Sequence, residues 1–86
     1  MPVIASFYGM VIRVYHADHP PAHIHVQYGE MSAIVEIQTG NVLHGELPKR
    51  LAGLLREWLK KYRGEILRAW EDAQAHRVPK RVKPME

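Results

Sequence analysis

A chain of 86 residues with 47% apolar side chains and no cysteine has room for one domain around a modest hydrophobic core. The missing cysteines exclude a disulfide framework, a zinc ribbon and a thiol nucleophile, and they favour a reducing, cytoplasmic setting. A charged content of 24% is ordinary for a globular protein, Met1 to Phe7 has none of the marks of a signal peptide, and no apolar run is long enough to span a membrane.

The first half of the chain reads as strands. Val3–Tyr8 is a short extended lead-in, closed by Gly9. In Met10–His16, Met10, Ile12 and Val14 alternate with Val11, Arg13 and Tyr15, the two-residue period of a half-buried strand. Ala17-Asp18-His19-Pro20-Pro21-Ala22 cannot continue it, because proline lacks the amide donor and pushes the preceding residue out of the helical region.

A hairpin is expected next, with Gly29-Glu30 as its two-residue turn. Pairing outward from that turn sets Tyr28 opposite Met31, Val26 opposite Ala33 and Ile24 opposite Val35, all apolar and on one face. Thr39-Gly40-Asn41 forms another turn, leading into a short strand, Val42-Leu43-His44.

The second half reads as helix. Pro48 suits the first helical position, and Leu51, Leu54, Leu55, Trp58, Leu59 and Tyr62 recur on one helical stripe, continued by Ile66, Leu67, Trp70 and Ala73. A single helix from Pro48 to His76 would run roughly 43 Å, in a domain whose expected radius of gyration is about 12 Å. Gly64 offers a stopping point, so two helices are expected. Four of the 12 basic residues and one of the 9 acidic ones fall in Arg77–Glu86, leaving residues 1–76 balanced at eight and eight. The expectation is therefore a two-layer α+β domain over 1–76, an antiparallel sheet of three to four strands with two C-terminal helices on one face. A flexible basic tail over 77–86 follows it.

The densest polar segment is His16-Ala17-Asp18-His19-Pro20-Pro21-Ala22-His23-Ile24-His25, which holds four of the six histidines. His23 and His25 are two apart on a strand and share a face, and the hairpin register places Glu36 opposite His23 on that face. Two imidazoles and a carboxylate can hold a divalent metal with positions left for water or substrate, so His23, His25 and Glu36 are the candidate ligands. Asp18 and His19 are the candidate catalytic groups beside them. The plainer reading is that these histidines are solvated, that His23–Glu36 is a cross-strand pair, and that Asp18 only bonds turn amides. No nucleophile elbow, Walker loop or glycine-rich phosphate cradle is present, and Trp58 and Trp70 belong to the core stripe.

Phe7-Tyr8-Gly9-Met10-Val11-Ile12-Arg13-Val14-Tyr15, the Asp18-His19-Pro20-Pro21-Ala22-His23-Ile24-His25-Val26 block and Gly45-Glu46-Leu47-Pro48 together resemble a bacterial and archaeal family known as domain of unknown function 4160. The resemblance runs to about His76. Ala22 and Ile24 stand where the family has a third proline and an aromatic, and neither change removes a candidate ligand. What the resemblance implies is a small α+β protein of three or four strands and two helices. Its gene would neighbour that of a second small protein, in a pair described as toxin–antitoxin-like. No catalytic residues come with the family.

Three readings of function follow, in this order. The first is an interaction module that binds the protein of a neighbouring gene, with a sheet edge open to another chain or to a second copy. The second is a metal-dependent hydrolase, a ribonuclease-type toxin, using His19, His23, His25 and Glu36. The third is nucleic-acid binding through the basic tail.

Overall fold

Five antiparallel strands run as a meander, each hydrogen-bonded to the next in chain order. They are β1 (Val3–Phe7), β2 (Met10–Arg13), β3 (His23–Tyr28), β4 (Met31–Glu36) and β5 (Val42–Gly45), followed by one helix, α1 (Lys49–Gln74). The computed structural model describes residues 2–16 and 18–85. Met1, Ala17 of the proline-containing segment and Glu86 lie outside the described residues. The α+β class and the antiparallel sheet agree with the sequence, whereas five strands replace the expected three to four and one helix replaces two.

The extra strand is the lead-in before Gly9. Tyr8 and Gly9 both take positive φ, 51° and 80°, which closes a tight turn and returns Val3–Phe7 against β2. The β3–β4 hairpin has the register expected from its apolar residues, with Tyr28 opposite Met31, Val26 opposite Ala33, Ile24 opposite Val35 and His23 opposite Glu36. Gly45 closes the sheet against β4. Its φ is +79°, and a Cβ there would meet the Ser32 carbonyl oxygen, which accepts the Glu46 amide at 3.0 Å.

Pro48 stands at the N-cap of α1 rather than inside its first turn. The helix is continuous in sequence but leaves helical geometry at Tyr62 (φ −117°, ψ 24°). A straight helix of 26 residues would span about 39 Å, and the longest dimension of the molecule is 33 Å. The bend at Tyr62 therefore lets both halves keep their apolar stripe on the sheet without a connecting loop. Leu51, Leu55, Trp58 and Leu59 before the bend, and Ile66, Ala69 and Ala73 after it, are buried against Ile4, Met10, Ile12, Val14, Ile24, Val26, Val35 and Ile37. No helix among the described residues is long and apolar enough to cross a membrane.

The segment after the helix, expected to be a flexible tail, packs on the domain. A register shift between Val3 and Ala5 leaves the Ile4 carbonyl free to accept the Val82 amide at 2.7 Å, and the Val82 side chain is buried. The Trp58 indole N–H donates to the Lys83 carbonyl at 2.7 Å. This strap lies along the β1 edge, which would otherwise be open to pairing. Lys80, Arg81 and Lys83 stay exposed on it. The opposite edge, β5, is exposed throughout, including Val42 (39%) and Leu43 (47%).

Candidate metal centre

α1 covers one sheet face, so the alternate residues of each strand form an uncovered face. On β2 these include Arg13, on β3 His23, His25 and Gln27, on β4 Ser32, Ile34 and Glu36, and on β5 His44. Tyr15, just past β2, lays its ring on that of His25 at 4.1 Å and 20°. At one end of this face the loop from Asp18 to Ala22 turns back over the start of β3.

Two contacts from α1 hold that loop. Gln74 donates its side-chain N–H to the Tyr15 carbonyl at 3.0 Å, and its side-chain oxygen accepts the Asp18 amide at 2.7 Å. The His16 and His76 rings stack at 5.6 Å alongside. Asp18 is thereby fixed over the two strand histidines. Its Oδ2 lies 2.9 Å from His23 Nε2 and 3.1 Å from His25 Nε2. One ligand atom from each residue falls within 4.8 Å of the other two, the one such metal-capable group among the described residues.

The other ring nitrogen of His23 sets the chemistry. His23 is buried, at 8% exposure, and its Nδ1 faces the Pro21 carbonyl at 2.8 Å. A carbonyl oxygen only accepts, so Nδ1 carries the hydrogen and Nε2 is left with its lone pair in the neutral ring. That lone pair points at a carboxylate oxygen 2.9 Å away. Two lone pairs facing at that distance require a positive centre, a second proton on the ring or a metal ion. Metal-bound histidines generally donate the other ring N–H to a carbonyl or carboxylate in this way. Ligand atoms held about 2.1 Å from a metal stand about 3.0–3.4 Å apart, close to the separations from Asp18. Burial opposes the charge of the Asp18 carboxyl, but the His25 hydrogen bond and the charges of His23 and His25 outweigh it. The carboxyl is held below its ordinary value.

Of the residues singled out from the sequence, His23 and His25 come together, and Asp18 joins them as the third member of the cluster. Glu36 sits opposite His23 in register, but it accepts the Thr39 hydroxyl at 2.9 Å and is outside the cluster. His19 is exposed and also outside it. Gln74, which fixes the loop, was not identifiable from the sequence. It lies near the helix end with no motif around it, and only the fold brings it to Asp18, 56 residues away.

A family model described as "Domain of unknown function (DUF4160)" matches residues 9–71, which take in β2 to β5, the Asp18–His25 block and most of α1. No curated protein and no solved structure matches the chain.

Proposed function

The chain belongs to the DUF4160 family, and because that description carries no chemistry we propose from the geometry that it is a small metal-dependent hydrolase, its ion held by Asp18, His23 and His25. The observation that supports this is the His23 ring, fixed through Nδ1 on the Pro21 carbonyl, with Nε2 aimed at the point that His25 Nε2 and Asp18 Oδ2 also reach. Two histidines and one carboxylate would leave coordination positions for water or substrate on a divalent ion. A divalent ion there would supply Lewis-acid chemistry and lower the pKa of bound water towards about 7. The protein's own share is to orient His23 through Pro21, to hold Asp18 through Gln74, and to stack Tyr15 on His25. The cysteine-free sequence suits a reducing, cytoplasmic setting.

The test is equilibrium dialysis of the untagged protein against zinc, manganese or nickel. One ion per chain is expected, lost in His23→Ala and His25→Ala and kept in His19→Ala and Glu36→Gln. If none of the three ions binds, or if the double variant His23→Ala/His25→Ala binds as wild type, the positive centre is a proton and the hydrolase reading fails.

A second reading has its own observation. β5 presents a free edge with Val42 and Leu43 exposed, which suits pairing with a strand of the protein from a neighbouring gene, in a toxin–antitoxin-like pair. Co-expression of the two genes followed by size analysis separates the outcomes, a mixed complex, a homodimer or a monomer. Leu43→Pro would abolish edge pairing, and an unchanged complex in that variant would sink this reading.

A further inference from the structure

The register across the sheet places four outward-facing residues in one row. Arg13 on β2 pairs with His25 on β3, His25 with Ile34 on β4, and Ile34 with His44 on β5. Above this row lies a hollow of about 230 Å³, lined by Arg13, Tyr15, His25, Ile34 and His44 among others. His25 belongs to both the hollow and the Asp18–His23–His25 cluster, so the two are contiguous. We infer that this hollow receives the phosphate group of a phosphate ester, with Arg13 as its anion-binding residue. The inference rests on the metal-centre reading for what happens to the ester, and it names the substrate class of that centre.

Three features carry it. Arg13 is half-buried and makes no ion pair among the described residues, where the ion pairs formed involve Asp18 and Asp72. Arg13 shares the hollow with the imidazoles of His25 and His44 and with no carboxylate, and a cation on Asp18, His23 and His25 would add to the positive field. An anion relieves that arrangement. The donors also approach from different sides, Arg13 from β2 and His44 from β5, with the cluster at the loop end. A tetrahedral phosphate offers oxygens in all these directions, whereas a planar carboxylate offers two. Arginine in addition matches phosphate through two parallel N–H···O bonds.

The size and the remaining walls say how much of the ester is held. A hollow of 230 Å³ lies below the range of about 300–1,000 Å³ that encloses a whole drug-sized ligand. It holds the phosphate and the first atoms of its alcohol. Ile34 on the floor and the stacked Tyr15–His25 rings on one wall offer apolar and aromatic contact to that part.

The experiment titrates phenyl phosphate into the full-length, untagged protein, manganese-loaded and metal-free, following ³¹P line broadening in the first and heat in the second. Manganese content is measured in each sample. Saturable broadening is expected, with affinity about tenfold or more weaker in Arg13→Gln while manganese content stays at the wild-type level. Manganese binding without saturable broadening, or with Arg13→Gln equal to wild type, overturns the phosphate inference and leaves the metal centre standing. If manganese, zinc and nickel all fail to bind, the hydrolase reading fails on its own. Arg13-dependent heat from phenyl phosphate in the metal-free protein then keeps the anion site, and its absence removes that too.

Discussion

The two faces of the sheet are built from the same strands and differ in almost every property. On the face under α1, Ile12, Ile24, Val26 and Val35 are essentially inaccessible and pack on Leu55, Trp58, Leu59 and Ile66. On the other face the neighbouring residues of the same strands are Arg13, His23, His25, Ile34 and Glu36, and among the described residues no helix lies over them. Each strand alternates, so one column of side chains can satisfy burial while the next is free to carry chemistry. Stability and the proposed chemistry thus lie on opposite sides of one layer, and substitutions on the two sides should have different consequences.

The largest effect belongs to the covered face. Trp58→Ala removes the ring that fills the centre of the core and the donor to Lys83, and about 3–5 kcal/mol of stability should go with it. In a domain stable by only about 5–15 kcal/mol this leaves a marginal fold, readable by urea titration. Gly45→Ala comes next, at about 2 kcal/mol or more, since the residue combines positive φ with a Cβ against the Ser32 carbonyl. Amide exchange should localise that loss to β4–β5.

On the open face the order reverses, with small effects on the apo fold and large ones on ligand. Metal at one hundred times its Kd stabilises a one-site protein by about 2.7 kcal/mol. At about 4–8 °C per kcal/mol for a domain of this size, Tm should rise by roughly 10–20 °C. His25→Ala should change the metal-free Tm by only a few degrees and abolish the rise. An unaltered rise in that variant would break the division between the faces. Gln74→Leu sharpens it from below the sheet. Asp18 loses its anchor, and metal affinity should fall about ten- to a hundredfold with all three ligands intact.

The smallest effect is on acid stability. The folded Asp18 carboxyl sits below its unfolded value, so its contribution is complete above about pH 4 and is lost as pH falls through the folded value. Asp18→Asn should flatten the acid limb of the stability curve there, while matching acid limbs would show that the contact with His23 and His25 adds nothing.

The same contrast explains what could be read from the sequence. The covered face was legible in detail, because period-two strands and a 3.6-residue stripe both report burial. The hairpin register follows from three apolar pairs, and His23 and His25 lie on the other side as that register requires. Strand pairing says which residues are neighbours, not where a side chain turns, and Glu36, rightly opposite His23, turns to the Thr39 hydroxyl instead. Asp18 lies in a loop with no periodicity, and its return onto β3 depends on Pro21 and on Gln74 from the far end of the chain. The strap is hidden from the sequence for a similar reason. Val78-Pro79-Lys80-Arg81-Val82 shows no periodic pattern, and the buried Pro79 and Val82, the Val82 amide on the Ile4 carbonyl and the Trp58 indole on the Lys83 carbonyl hold it. The bend at Tyr62 took the place of the helix break expected at Gly64.

The measurement that bears most directly on the central claim is an anomalous difference map, collected at the zinc edge from crystals of the untagged protein soaked in zinc. The account predicts a peak about 2.1 Å from His23 Nε2 and His25 Nε2, with Asp18 as the third ligand. A map with no peak there, or a peak only elsewhere on the surface, would contradict it.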